Sequence, residues 1–186
     1  MRTFIAFALT EETKQELTSL QSELKKSQAD VKWVEPKNIH LTLKFLGEIS
    51  EQQVDQVREV LNKISSQFEP YEITLLGVGA FPKLEHPRVV WAGIDSGKNE
   101  TKRIAEVLRA ELEKVGFQKD DREFKSHLTI GRVRGPKNKD KLKSVIQSIS
   151  FAPQSKIPIN HITLYQSTLT PQGPIYTPLH KASITQ

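Results

Sequence analysis

The sequence contains the same strand-like tetrapeptide twice: His-Leu-Thr followed by an apolar residue begins at His40 and again at His127. Around the first copy, apolar residues alternate with polar ones from Ile39 to Phe45, which is the period of a strand with one buried face. Strict alternation puts Lys44 on the face of His40 and Phe45 on the buried face. A chain with two such strands is expected to form two similar lobes, and lobes that face each other would bring both copies together.

Helical patterns flank both copies. Thr10 and Ser50 each precede acidic or amide residues in the manner of a helix N-terminus. Two further helical stripes end near Gly116 and cover about residues 140–149. Strands mixed with helices in this way predict an α+β fold with largely antiparallel sheets. The predicted strands cover residues 2–8, 31–34, 39–45, 71–81, 88–94, 126–133, 157–164 and 175–179.

Composition narrows the possible chemistry. A length of 186 residues suits a single catalytic domain, and the absence of cysteine excludes disulfides, thiolate nucleophiles and cysteine-based metal sites. A net charge of +5 favours anionic partners such as RNA. The N-terminal apolar run is too short for a signal peptide, and no later stretch approaches the roughly 20 apolar residues of a membrane span. We therefore expect a cytoplasmic protein with no membrane association.

Each tetrapeptide presents an imidazole and a hydroxyl together. Residues i and i+2 of a strand share one face about 7 Å apart, so His40 pairs with Thr42, and His127 pairs with Thr129. An imidazole exchanges protons near neutral pH, and a threonine hydroxyl donates a hydrogen bond to an anionic oxygen. Two such pairs supply the acid, the base and the donors that phosphodiester hydrolysis needs, without a metal or other cofactor. The spacing leaves open which histidine is the acid.

The two motifs resemble those of a known family. Residues 38–48, NIHLTLKFLGE, and residues 126–132, SHLTIGR, are similar to the signature motifs of the two-histidine phosphoesterase superfamily. The branch that they resemble is the RNA 2′,3′-cyclic phosphodiesterases, historically called 2′-5′ RNA ligases. The resemblance extends over essentially the whole chain, including RTFIAF at residues 2–7, RVVWAG at 88–93 and LYQSTLTPQGPIY at 164–176.

The resemblance implies a fold, an activity and a division of roles. It implies a single bilobal α+β domain over residues 1–186, with helices outside and both motifs lining a central cleft. The implied reaction hydrolyses a terminal 2′,3′-cyclic phosphate of RNA to a 2′-phosphate. His40 is then the proton donor and His127 the proton acceptor. The expected partner is RNA with a cyclic phosphate end, tRNA fragments included, and the expected state is a monomer.

Arg132 corresponds to a phosphate-contacting arginine of the family, and a permanently charged guanidinium suits that role. Strict alternation from His127, however, puts Arg132 on the opposite face of the strand. A contact with the phosphate therefore requires a bulge or a sharp twist, for which Gly131 is the natural place.

Three other functions remain open from the sequence. His161 also precedes a threonine by two residues, so a zinc site made of His40, His127 and His161 is one alternative. Ligation of tRNA halves through 2′-5′ linkages is the same chemistry in reverse. A non-catalytic module that binds RNA ends is the third, because a fold does not fix a function.

Four aromatic residues are candidates for stacking on a nucleobase. Single-stranded RNA ends are commonly held on aromatic rings, although packing in the core is the commoner fate of such side chains. The four candidates are Trp33, Phe45, Trp91 and Tyr176.

Overall fold

The computed structural model describes residues 1–185, which form four α-helices and ten strands. The helices are α1 (Glu11–Lys25), α2 (Glu51–Ser65), α3 (Lys98–Lys114) and α4 (Lys139–Ser148). The strands are β1 (Arg2–Phe7), β2 (Val31–Trp33), β3 (Leu41–Glu48), β4 (Tyr71–Ile73), β5 (Leu75–Lys83), β6 (His86–Ile94), β7 (His127–Val133), β8 (Ile157–Ile159), β9 (His161–Thr170) and β10 (Gly173–Ser183).

Two four-stranded sheets carry the two motifs. The first sheet has the order β10-β9-β1-β3 and the second the order β2-β7-β6-β5, while β4 and β8 form a separate pair. Every strand pairing among residues 1–185 is antiparallel. The predicted α+β class with antiparallel sheets is therefore confirmed. The first motif lies at the edge of one sheet, and the second lies on an interior strand of the other.

The helices begin where the sequence predicts. The Thr10 hydroxyl accepts a hydrogen bond from the Thr13 amide at 3.2 Å and caps α1. Ser50 and Gln53 form the predicted reciprocal capping box at the start of α2. Such caps satisfy amides that have no partner within the helix, which fixes the first turn.

Three strand predictions, those at 71–81, 157–164 and 175–179, are wrong in their bounds. The predicted strand at 71–81 is split at Thr74, whose backbone forms hydrogen bonds with Asp95 and Ser96. Its first part, β4, pairs with β8, and only its second part, β5, joins the second sheet. The predicted strand at 157–164 is split at Asn160 into β8 and the start of β9, and β9 forms with β10 a hairpin much longer than the pattern indicates. Its outer half mixes polar residues with exposed apolar ones such as Leu169 and Ile175, so the alternation that marks a half-buried strand is missing there.

One hydrophobic cluster contains buried residues from both large sheets and from all four helices. Each helix contributes an apolar stripe with helical spacing, as a helix that covers a sheet must. No helix within residues 1–185 has the length and apolar character needed to cross a membrane.

Candidate active site

The two motif histidines are anchored in the same way. His40 Nδ1 lies 2.7 Å from the backbone oxygen of Asn38, and His127 Nδ1 lies 2.7 Å from that of Lys125. A carbonyl oxygen only accepts hydrogen bonds, so Nδ1 carries the hydrogen in both rings. In each ring Nε2 is therefore the atom left for proton exchange with a substrate.

Both motif strands carry a bulge at the same position. In the pairing of β1 with β3, Ala6 is opposite Thr42 and Ile5 is opposite Lys44, so Leu43 is an extra residue. In the pairing of β6 with β7, the register passes from Thr129 to Gly131 in the same way, so Ile130 is the extra residue. Each extra residue is the third after its histidine. Because a bulge inserts one residue, it reverses the facing of every side chain that follows.

In β3 the bulge overturns the expected alternation. Lys44 is buried, with 6% exposure, whereas Phe45 is 66% exposed. The Lys44 Nζ donates hydrogen bonds to Asp120 Oδ2 at 2.6 Å and to the Gln118 oxygen at 3.1 Å, which satisfies its buried charge. Phe45 lies opposite Phe4, on the face of Thr42. The prediction that placed Lys44 beside His40 and Phe45 in the core is wrong.

In β7 the bulge brings Arg132 onto the face of His127 and Thr129. Thr129 is opposite Trp91, and Arg132 is opposite Val89, two residues along the same face of β6. The inversion that Arg132 requires is therefore present, one residue earlier than Gly131, at Ile130.

Arg132 links the two motifs electrostatically. Its positive charge acts on both His40 and His127 and disfavours their protonated forms. It also acts on the Tyr176 hydroxyl. Since β3 and β7 contact each other across the two sheets, this one side chain acts on the histidines of both motifs.

The pKa values of both histidines are depressed. Burial is the main cause in each case, and the charge of Arg132 adds to it, while the hydrogen bond from Nδ1 to the backbone opposes it. The pKa of His40 falls to about 4. That of His127 falls below its ordinary value of about 6.5. Without a bound anion, both imidazoles are thus mainly neutral at neutral pH.

Aromatic rings surround both histidines. Phe4 stacks on His40 with ring centres 4.6 Å apart, and Tyr176 meets His40 edge-on at 5.3 Å. Phe81 meets His127 edge-on at 5.1 Å. These contacts fix the orientation of the imidazoles and exclude water from one side of each. The sequence prediction included Tyr176 but missed Phe4 and Phe81, because a single aromatic residue in an apolar strand carries no signal of its place.

A cavity of about 350 Å³ opens beside His40. Two lysines, Lys14 and Lys37, line it together with Tyr165 and Tyr176. A larger hollow of about 560 Å³ near Phe68 contains none of the predicted site residues. The candidate active site is therefore at the smaller cavity, which contains His40.

The three-histidine zinc site is not formed. His161 lies at the start of β9 and its Nδ1 bonds to Asn160 Oδ1 at 2.9 Å. Within residues 1–185, no three His, Cys, Asp or Glu side chains gather closely enough to hold a metal ion. The histidines of the zinc hypothesis therefore do not converge, and that ligand set is wrong.

The two tryptophans are packed against glycines. The Trp33 ring covers Gly131, where an added Cβ would lie 2.8 Å from it, and the Trp91 ring covers Gly79. Both rings are thus part of the second sheet's packing. Of the four stacking candidates, Phe45 is the one with a largely exposed ring.

One motif histidine lies just before the start of β3 and the other at the start of β7, and these two strands contact each other across the sheets, as expected for a two-histidine phosphoesterase. Comparison with known proteins gives the family. The family model described as LigT like Phosphoesterase matches residues 7–91 and 94–176, and each segment contains one motif. The chain belongs to this LigT-like phosphoesterase family.

Relatives and solved structures cover nearly the whole chain. A Methanothermobacter thermautotrophicus protein named RNA 2′,3′-cyclic phosphodiesterase is 37% identical over 177 residues, which is 95% of each chain. The structure of TT0787 from Thermus thermophilus has a TM-score of 0.83 and 30% identity, and covers 99% of this chain and 98% of that one. Escherichia coli LigT complexed with 3′-AMP has a TM-score of 0.75 and 25% identity, with 100% and 98% covered.

Proposed function

We propose that this protein is an RNA 2′,3′-cyclic phosphodiesterase that hydrolyses the terminal cyclic phosphate to a 2′-phosphate. The observation that carries the proposal is the pair of identically anchored imidazoles, each with Nε2 free and each subject to the charge of Arg132. The names of the relatives support the same reaction and do not favour the ligase alternative. The intact histidines and threonines of both motifs argue against a module that only binds RNA ends.

The reaction needs one proton removed and one delivered. His127 Nε2 accepts a proton from water as the water oxygen bonds to phosphorus. The bond from phosphorus to O3′ breaks, and His40 Nε2 donates its proton to O3′, which leaves the phosphate on O2′. Exchange with solvent then restores both imidazoles. The family resemblance supports this division of roles, and both groups are fixed in place before the substrate arrives.

Three further groups stabilise the charge on phosphorus. The hydroxyls of Thr42 and Thr129 lie on the faces of their histidines and donate to non-bridging oxygens. Arg132 adds a permanent positive charge on the same side. No metal or organic cofactor is part of this mechanism.

The low pKa of His40 gives the substrate a role in its own catalysis. An acid must carry a proton, yet burial holds the pKa of His40 at about 4 in the free protein. The negative charge of a bound phosphodiester favours the imidazolium and neutralises Arg132, and both effects raise the pKa of His40. The acid is therefore protonated mainly once the substrate is bound.

The proposal extends to the setting of the reaction. The substrates are RNA ends with a cyclic phosphate, tRNA fragments included, and the protein acts as a monomer in the cytoplasm. We also propose a single bilobal domain over residues 1–186, with one lobe per sheet; the continuous hydrophobic cluster supports this. Sedimentation at several protein concentrations tests the monomer.

The direct test uses an oligoribonucleotide that ends in a 2′,3′-cyclic phosphate. The purified protein should convert it to the 2′-phosphate, with equal rates in EDTA and after added Zn²⁺. A 3′-phosphate product, or activity that EDTA abolishes and zinc restores, would contradict the proposal. Hydrolysis and ligation yields on tRNA halves, measured in the same reaction, decide between the phosphodiesterase and ligase functions.

A further inference from the structure

Phe45 is an exposed aromatic side chain among buried ones. It is 66% exposed, whereas Phe4, its partner across the strand pair, is 3% exposed. Large apolar side chains are usually buried, so a phenylalanine held open beside a reactive group needs a reason. Packing within the sheet does not explain the exposure of Phe45, because the buried ring of Phe4 already covers this part of the face.

The orientation of Phe45 results from a bulge like the one that orients Arg132. Each is the fifth residue after its motif histidine, and each follows the bulge of its strand. The bulge at Leu43 turns Phe45 to the His40 face just as the bulge at Ile130 turns Arg132 to the His127 face. Equivalent positions of the two strands thus present a guanidinium on one side and an open ring on the other.

Phe45 stands at the end of a row of rings. Its ring centre is 6.1 Å from that of Phe4, and Phe4 stacks on His40 at 4.6 Å and on Tyr165 at 5.3 Å. Phe45 is therefore one ring removed from the proton donor. A nucleotide whose phosphate lies at His40 carries its base outward on the ribose, and Phe45 is the largely exposed ring on the same face.

We propose that Phe45 is the platform on which the nucleobase of the terminal nucleotide stacks. The proposal rests on the proposed function, since it places the cyclic phosphate between His40 and His127. Every nucleobase has a flat π face, so stacking on Phe45 tolerates all four bases, with larger purines gaining more contact. Phe45 binds substrate and takes no part in proton transfer.

The test measures KM and kcat for a dinucleotide that ends in adenosine 2′,3′-cyclic phosphate. Phe45→Ala and Phe45→Leu should raise KM at least about 5-fold with kcat nearly unchanged, because base stacking on an aromatic residue is worth about that much or more. Phe45→Trp should keep the KM of the unmodified protein. Val115→Ala removes an exposed apolar side chain at the end of α3 and should leave KM unchanged.

A second substrate separates stacking from a general structural effect. The same dinucleotide with an abasic terminal ribose should have a raised KM with the unmodified protein, and Phe45→Ala should raise it no further. An equal rise on both substrates, or no rise on either, would overturn the proposal. Direct binding of a 2′-phosphate-ended RNA to Phe45→Leu gives an answer even where no substrate is hydrolysed. Failure of the platform and failure of the phosphodiesterase function are thus distinguished.

Discussion

At the scale of single residues, the proposed catalysis depends on the imidazoles of His40 and His127. A positioned acid or base typically contributes 10² to 10⁴ to the rate, so His40→Ala and His127→Ala should each lower kcat by at least about 100-fold. Thr42→Ala and Thr129→Ala should cost less, because each removes a donor but no proton carrier. Steady-state kinetics checks this, with His161→Ala as the matched control for a histidine outside the site. Near-normal turnover in either motif variant would remove that histidine from the mechanism.

The depressed pKa values of the two histidines predict a difference between two pH profiles. The ratio kcat/KM reports the free protein, in which the proposed mechanism requires a protonated His40 and a neutral His127. Both pKa values are lowered there, that of His40 to about 4, so kcat/KM should peak at acidic pH, below about 6.5. The bound phosphate raises both values, so kcat should peak at higher pH, nearer neutrality. Identical pH profiles for kcat and kcat/KM would contradict the proposed effect of the substrate's charge on the pKa values of the histidines.

The residue types of the site could be predicted from the sequence, but not all of their directions. The His-x-Thr spacing predicts both candidate pairs, because the strand period holds over two residues. In β3 strict alternation failed beyond Leu43, where the bulge reverses the facing of Lys44 and Phe45. A bulge is selected by pairing with a neighbouring strand, and those neighbours are distant in the sequence.

At the scale of elements, side chains of β2 pack closely against Gly131, directly after the bulge in β7. A Cβ there would lie 2.8 Å from the Trp33 ring and 2.8 Å from Val31. Gly131→Ala should therefore destabilise the protein by about 1–3 kcal/mol and lower kcat/KM by displacing Arg132. Urea denaturation and kinetics measure the two effects.

Relief of the same clash provides the control for Gly131→Ala. Trp33→Ala removes the ring that the new methyl group meets, so the double variant should be more stable than the sum of the single effects predicts. Strict additivity of the two substitutions would mean that contact with Trp33 does not limit the residue at this position.

The helices were predicted more closely than the strands because their signals are local. Capping residues and apolar stripes lie within a few turns of one another, and they placed α2 and α4 to within a residue or two. The strands depend on distant partners. The break at Thr74 and the long polar hairpin of β9 and β10 come from pairings that no short stretch of sequence contains.

At the scale of the whole molecule, the net charge of +5 predicts salt-sensitive binding of RNA. Neutralised phosphates release counterions, so KM for an oligonucleotide with a cyclic phosphate end should rise steeply with salt. A mononucleotide 2′,3′-cyclic phosphate offers far fewer charges, and its KM should rise much less. Measurements of both substrates from about 50 to about 300 mM KCl test this. If the KM values of both substrates rise equally with salt, the protein recognises only the terminal nucleotide.

The meeting of the two halves is the feature of the whole molecule that no local pattern predicts. Each half carries an imidazole and hydroxyl pair, and the charge of Arg132 acts on the histidines of both halves. The family resemblance anticipated that meeting, and the resemblance also supports the assignment of donor and acceptor.

The division of labour between His40 and His127 is tested most directly with a 3′-thio cyclic phosphate substrate. Sulfur leaves without a proton far more readily than oxygen, because a thiol is much more acidic than an alcohol. This substrate bypasses the acid but still needs the base. We predict that His40→Ala hydrolyses it at nearly the rate of the unmodified protein, whereas His127→Ala stays at least about 100-fold slower. Rescue of His127→Ala instead of His40→Ala would contradict the assignment, and rescue of neither would contradict acid catalysis at O3′.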